Sequence, residues 1–294
     1  MADDLDLDIQ PAADSGSEES SSSGGAIDWG IVGGIVLGFA SLLAGMLLEG
    51  GSPMQYLGVS AFTIVVGGTI GATLTSVGTK TVKSMPSQFK RAVVYESIDR
   101  AHAIETLVAF AERARREGLL VLEDDLVNTD DEFLRKGVQL VVDGTDPELV
   151  KEILQTEVDS MAEENERKAS AWVAMGGYSP TLGIIGTVMA LVVVLGQLDD
   201  PQSLGPAISL AFIATLYGVC FANLIYLPIG AKLGMCSQDE LASRELMIEG
   251  ILAIQSGDNP RIVEEKLVAF LDSSDKLEFL ARRDNAEDDF DLAA

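Results

Sequence analysis

The chain has 294 residues, of which 47% are hydrophobic, and its mean hydropathy of +0.25 argues against two ordinary soluble domains. Its 46 acidic and 20 basic residues give a formal net charge of −26, which disfavours binding to nucleic-acid phosphates. Two cysteines, one histidine and the lack of a catalytic triad, phosphate loop or dinucleotide fingerprint argue against a disulfide framework, a metal site, an organic cofactor and an enzyme.

The first predicted segment, residues 1–28, is an acidic tail. It contains eight carboxylates, no Lys or Arg, and a Ser-rich tract at residues 15–25. Such a composition cannot bury enough apolar surface to fold, so we expect disorder. A secretory signal needs a positive n-region, and this segment is negative throughout.

Four uncharged runs follow, each long enough to cross a hydrocarbon core of roughly 30 Å as a helix. The two links within the pairs are too short to fold independently. The sequence therefore predicts an all-α integral membrane protein with four transmembrane helices in two hairpins, residues 29–79 and 171–231. The runs cover residues 29–48, 55–79, 171–198 and 206–231.

Basic residues predict the orientation, because Lys and Arg are retained on the cytoplasmic side of a membrane. Thirteen of the 20 lie between Lys80 and Lys168, the other seven lie between Lys232 and Arg283, and neither hairpin link contains one. Residues 80–170 and 232–294 are therefore expected to form a helical cytoplasmic domain that ends in an acidic tail. An even number of crossings places both termini in the cytoplasm.

The cytoplasmic segments show helix patterns with start and stop residues. Residues 103–117 place apolar side chains on one face, and Gly118 ends that pattern. Asp146 with Pro147, and Asn259 with Pro260, have the order of an N-cap followed by a first helical residue. We expect both pairs to open amphipathic helices.

The chemistry within the spans is sparse, since no Asp, Glu, Lys, Arg or His lies inside any of the four runs. Ion pathways through membranes nearly always use such a residue, so a cation-conducting chain of this kind needs a carboxylate from another chain. Small and hydroxyl residues at helical spacing indicate close helix packing, and the threonines could also line a path. These sets are Gly30, Gly34 and Gly38; Gly67 and Gly71; Pro180, Gly183 and Thr187; and Ala211, Thr215, Gly218 and Ala222.

Several motifs occur in order along the chain and together cover roughly residues 29–272. They resemble the MotA/PomA family of flagellar motor stator subunits, within the MotA/TolQ/ExbB superfamily. The order of four spans with a large loop after the second agrees. The motifs are Arg115 to Asp124, Ser179-Pro180-Thr181-Leu182-Gly183, Thr187, Asp199-Asp200-Pro201, Thr215-Leu216-Tyr217-Gly218, Asn223 with Pro228-Ile229, and Gly250-Ile251-Leu252-Ala253-Ile254-Gln255.

The resemblance implies a multi-pass subunit of the bacterial inner membrane, of which several copies surround a dimer of a MotB/PomB-like partner. The partner's single span carries the ion-binding aspartate. Thr187 and Thr215 match hydroxyls of the ion path, which Pro180, Gly183 and Ala214 would also line. Ala214 stands where the sodium-using branch often has another threonine.

The resemblance also implies how ion flow reaches the rotor. Pro180 and Pro228 match two prolines that couple ion passage to cytoplasmic movement, although Pro228 could simply end its helix. Four charged residues match positions that contact the rotor protein FliG, although such residues are more often a solvated helix edge. They are Arg115, Arg116, Glu123 and Asp124.

Alternatives remain open from the sequence. An ExbB/TolQ-type energiser shares the motifs of the last two spans but has three spans in total, and a self-contained channel or a membrane scaffold would need no partner. Sodium requires protein oxygens in place of hydration water, whereas a proton requires only a titratable group and a hydroxyl or water chain. The two threonines favour sodium, with a proton as the alternative ion.

Overall fold

The computed structural model describes residues 28–94, 98–127, 129–196, 201–273, 275–277 and 279–283, with only the backbone of residues 201–203. Every secondary-structure element in these ranges is a helix. Four helices are long and apolar enough to cross a membrane, which confirms the predicted fold class. The predicted tails at residues 1–27 and 284–294, and the link residues 199–200, lie outside the described ranges.

The first hairpin consists of helix α1, Trp29–Leu48, and helix α2, Val59–Val93, joined by a 3₁₀ turn at Pro53–Tyr56. Helix α1 buries no residue and lies at the periphery. The sequence predicts that Asp28 belongs to the disordered tail, but it is the N-cap of α1, where its carboxylate accepts a hydrogen bond from the Gly30 N–H at 2.8 Å. An Asp directly before an apolar run satisfies the first free N–H groups of a helix.

Helix α2 differs from the uncharged run that predicted it. It contains a π-helical segment at Thr63–Gly67, and it continues past residue 79 as far as Val93. Gly78 interrupts the helical geometry with φ 78° and ψ 169°, which only glycine adopts without steric cost. The span and its basic extension therefore point in different directions.

The second hairpin consists of two very long helical arms. Helix α6, Pro147–Leu195, has 49 residues and is about 74 Å long, more than twice the hydrocarbon thickness. The returning arm is α7, Pro201–Phe221, a π-helical segment at Ala222–Tyr226, and α8, Leu227–Ser256. It begins before the predicted residue 206, because proline at the first helical position needs no N–H partner.

The non-spanning ends of α6 and α8 belong to a helical domain. They pack with α3 (Arg100–Glu117), α4 (Leu122–Leu126), α5 (Glu132–Val142) and α9 (Pro260–Val268) around one apolar core. The predicted caps are confirmed: Asp146 accepts from the Glu148 N–H at 2.9 Å, and Asn259 accepts from the Arg261 N–H at 3.1 Å. Fully buried side chains at the centre include Ile104, Leu107, Leu154, Ile251 and Leu267.

Candidate functional site

Helices α6 and α7 approach each other closely at two glycines. A β-carbon added at Gly218 would lie 2.6 Å from the Ser179 carbonyl oxygen, and one added at Gly183 would lie 2.9 Å from the Ala214 carbonyl oxygen. The Ser179 hydroxyl also donates a hydrogen bond across the interface to the Gly218 carbonyl at 3.0 Å. Any side chain here would push the two backbones apart, so the predicted small-residue stripes of these two helices do form a contact.

About one helical turn from this contact, two threonines bring their hydroxyls together. Thr187 Oγ1 and Thr215 Oγ1 are 2.5 Å apart, and both side chains are half-buried. Thr187 Oγ1 also lies 3.0 Å from the Gly183 carbonyl and 3.1 Å from the Ala211 carbonyl. We call Thr187 and Thr215 the hydroxyl pair.

The hydroxyl pair has two protons but more than two oxygen neighbours. If Thr187 donates to a carbonyl and accepts from Thr215, each hydroxyl oxygen still has a free lone pair. Such oxygens, with the adjacent carbonyls, can replace part of the hydration shell of a cation or relay a proton. In the part of the chain that the structure describes, no cluster of His, Cys, Asp and Glu could hold a metal ion.

The two matched prolines have different local settings. Pro180 lies inside α6, where it lacks the N–H that would bond to the Gly176 carbonyl, and its Cα would be 3.2 Å from a β-carbon at Gly218. Pro228 does not end its helix as the alternative supposed. It follows the π-helical segment Ala222–Tyr226, whose wider turn accommodates the lost hydrogen bond, and the helix continues to Ser256.

Ala214 lies apart from the hydroxyl pair. Its side chain is 2% exposed and packs with Ala61 of α2, and a β-carbon at Gly186 would lie 2.9 Å from that of Ala214. A largely apolar cavity of about 220 Å³ lies beside it, between α2, α6 and α7. Within this chain, the Ala214 side chain therefore lies against Gly186 of α6, beside α2.

Three of the predicted glycine contacts are not formed within the chain. A β-carbon added at Gly34, Gly67 or Gly71 meets no atom within 4 Å, whereas one at Gly38 would contact Leu224. Helical spacing indicates which residues share a face, but it does not indicate whether another helix covers that face.

The four residues matched to rotor contacts are all exposed and flank one turn. Arg115 and Arg116 lie in the last turn of α3, whereas Glu123 and Asp124 lie in the first turn of α4. Between them, Gly118 has a φ of 94°, and the buried Leu122 anchors α4 to the core. Arg113 and Asp125 form an ion pair between the two helices that orients the turn.

Sequence reasoning missed two links between distant segments. The Tyr217 hydroxyl donates to the Tyr56 carbonyl at 2.5 Å and accepts from the Gly58 N–H at 3.2 Å, which fixes the first hairpin link to α7. The Lys232 ammonium is 2.5 Å from the Asp28 carboxylate, and this hydrogen bond lowers the Asp28 pKa. Only the N-cap position of Asp28 could have been found from the sequence.

Two family models match this chain. Residues 126–246 match the MotA/TolQ/ExbB proton channel family, and residues 31–118 match the motility protein A N-terminal family. The chain is 37% identical over 250 residues to motility protein A of Bacillus subtilis (strain 168), which covers 84% of this chain and 92% of that protein.

Two further similarities concern a chemotaxis protein and a solved complex. Chemotaxis protein PomA of Vibrio alginolyticus is 33% identical over 238 residues, which cover 81% of this chain and 93% of that protein. The structure of the flagellar MotAB stator complex from Bacillus subtilis matches with a TM-score of 0.79 at 36% identity. That match covers 84% of this chain and 98% of the other.

Proposed function

Since this chain belongs to the MotA/TolQ/ExbB proton channel family, in its motility protein A branch, we propose that it works as a flagellar stator channel subunit that turns cation flow into torque. It is a multi-pass subunit of the bacterial inner membrane. The observation that carries the proposal is the hydroxyl pair at the α6–α7 contact, in a set of four spans without a carboxylate.

The missing carboxylate defines the partner. A MotB/PomB-like subunit, present in the matched MotAB complex, supplies a single span whose aspartate faces the hydroxyl pair. Several copies of this chain surround a dimer of that partner. An ExbB/TolQ-type energiser fits less well, because the motility protein A N-terminal family matches residues 31–118, which contain the additional hairpin.

Sodium is the proposed ion. The hydroxyl pair and the Gly183 and Ala211 carbonyls place two hydroxyl and two carbonyl oxygens close together, and sodium needs such oxygens in place of water. Energy does not decide between sodium and a proton, since either charge falling through 100 mV delivers about 2.3 kcal/mol. The number of oxygens supports sodium, because a proton needs only a titratable carboxylate and a chain of hydroxyls or waters.

Torque passes from the spans to the rotor through the two long arms and the two prolines. Helices α6 and α8 are continuous from the membrane to the helical domain, so a change of angle at Pro180 or Pro228 moves that domain. The turn that presents Arg115, Arg116, Glu123 and Asp124 then acts on FliG by complementary charge.

Reversing the charges of this turn is expected to reduce swimming without loss of membrane insertion. The triple variant Arg115→Glu, Arg116→Glu and Glu123→Lys changes three exposed side chains that have no ion pair among the described residues, so stability should change by less than about 1 kcal/mol. Swimming speed, membrane content and binding to the partner are to be measured.

A control with the same change in net charge is Lys151→Glu, Arg261→Glu and Glu265→Lys, all exposed and outside the turn. It should swim normally. Complementary reversals on FliG should restore movement to the first variant only. Normal swimming of the Arg115, Arg116 and Glu123 variant would show that the turn is a solvated surface without a rotor role.

The proposed orientation places both termini in the cytoplasm, and labelling of single cysteines tests it. In a chain without Cys220 and Cys236, a cysteine at Ser52 in the first hairpin link should react with an impermeant thiol reagent in intact cells. One at Ser273 should react only after permeabilisation. Both positions are exposed, so accessibility within the chain does not confound the result. Labelling of a cysteine at Ser273 in intact cells would show that the orientation is the opposite one, with the rotor turn outside the cell.

A further inference from the structure

The extension of α2 beyond Gly78 is a basic helix, residues 79–93, that the proposed function does not use. Residues 50–95 contain no Asp or Glu, yet they include Lys80, Lys83, Lys90 and Arg91, in a chain with a net charge of −26. Positive charge is therefore concentrated here against the overall composition.

The two ends of the basic helix both lie beside ends of spanning helices. It begins where the second span ends at Gly78, and it ends beside the start of the first span, where the Asp28 N–H donates to the Val93 carbonyl at 2.7 Å. A straight continuation of the span would put Val93 about 20 Å away from the membrane boundary. Because both ends lie at the boundary, the helix between them lies parallel to it.

Two faces of the basic helix have different surroundings. Met85, Gln88 and Ala92 are buried against α6 and α8, and Gln88 accepts a hydrogen bond from the Trp172 indole N–H at 2.9 Å. Arg91 lies at the edge of this face, where it pairs with Glu240 of α8 at 2.5 Å. These contacts fix the rotation of the helix.

The opposite face presents three lysines. Lys80, Lys83 and Lys90 follow a spacing of three and seven residues, so they form one stripe, and all three are exposed. None of them has an ion pair among the described residues; Glu164, the nearby carboxylate that Lys80 influences, pairs with Lys168 at 2.8 Å. We call these three residues the lysine stripe.

We propose that the lysine stripe binds the headgroups of anionic phospholipids at the membrane surface. Each lysine near such a surface strengthens association roughly fivefold, and lysines on one face can act on the same lipids. Retention of positive charge on one side of the membrane requires basic residues but no common face. A planar layer of lipid phosphates explains why the three lysines share one exposed face.

The test measures which lipids the full-length chain retains. The purified protein is reconstituted in vesicles of equal phosphatidylglycerol and phosphatidylcholine, extracted in mild detergent, and its bound lipids are quantified. The native chain should be enriched in phosphatidylglycerol. The variant Lys80→Gln, Lys83→Gln and Lys90→Gln should lose that enrichment at least tenfold, whereas the corresponding Lys→Arg variant should keep it.

A matched control is Lys136→Gln, Lys151→Gln and Lys276→Gln, which removes three exposed lysines of the helical domain. It should retain phosphatidylglycerol like the native chain. An equal loss of phosphatidylglycerol in this control would overturn the proposal. Enrichment that survives in the Lys80, Lys83 and Lys90 variant would also overturn it. A lost oligomer with unchanged lipid in that variant would assign the stripe to a contact between copies. Enrichment that appears only after deletion of residues 2–27 would assign it to the chain's own acidic segment.

A second measurement requires no substitution. Raising the salt from about 0.05 M to about 0.5 M shortens the Debye length roughly threefold, so the enrichment on the native chain should fall severalfold. No enrichment of phosphatidylglycerol at low salt would overturn the proposal even if the variants fail to fold.

Discussion

Replacement of Thr187 by alanine is expected to abolish motility, with a loss of swimming speed to the level of a strain without stators. The side chain supplies one of two hydroxyls that are 2.5 Å apart, and it also holds the position of Thr215. Without it, the path has one oxygen fewer, and the remaining hydroxyl loses its partner. The structural cost should be small, about 1 kcal/mol, because the hydroxyl is only half-buried.

Two variants of the same helix serve as controls. Thr187→Ser keeps the hydroxyl and should swim. Thr181→Ala removes an exposed hydroxyl that only bonds to its own helix, at the Tyr178 carbonyl 2.8 Å away, and it should swim normally. Co-purification with the MotB/PomB-like partner, followed by mass measurement, should show an unchanged complex in all three.

The same strains decide the ion. Swimming of the native strain should rise with external sodium and persist in the presence of a protonophore. Speed that is independent of sodium but collapses with the protonophore would make the sodium proposal wrong and assign the hydroxyl pair to a proton path. Selective ion flux through this chain reconstituted alone would show that conduction does not require a carboxylate from a partner.

Replacement of Gly218 by alanine is expected to destabilise the second hairpin by about 2 kcal/mol or more. The new β-carbon would lie 2.6 Å from the Ser179 carbonyl oxygen and 3.1 Å from the Gly183 Cα. Both neighbours are backbone atoms, so no flexible side chain can move away, and the helices must separate. This separation would also break the hydrogen bond from Ser179 to Gly218 and pull the hydroxyl pair apart.

Gly71→Ala is the matched control for this glycine. Gly71 is in a spanning helix too, but a β-carbon there meets nothing within 4 Å. Because alanine is the better helix former, the control should be neutral or stabilised by up to about 1 kcal/mol. Thermal unfolding in detergent measures both variants. Equal midpoints would show that the α6–α7 contact can relax and that its close approach contributes little to stability.

The sequence by itself determined the elements. Hydrocarbon thickness sets the length of a span, and the cost of an unpaired charge in lipid excludes Asp, Glu, Lys and Arg, so four uncharged runs indicated four spans. Caps at Asp146 and Asn259 and the stop at Gly118 were equally local, because each depends on backbone groups within a few residues. The ordered motifs from Arg115 to Gln255 were sufficient to indicate the family.

Only the tertiary structure decided which faces meet. Gly71 and Gly183 have similar sequence surroundings, yet one meets nothing and the other touches a neighbouring backbone, because helical periodicity defines a face without specifying what covers it. For the same reason, Thr187 and Thr215 converge while Ala214 lies against Gly186, beside α2. The turn at Gly78 also required the structure, since a single glycine in a helical pattern is compatible with a straight helix. Its φ of 78° turns the basic helix away from the axis of the span, and the hydrogen bond between Asp28 and Val93 holds the far end beside the start of the first span.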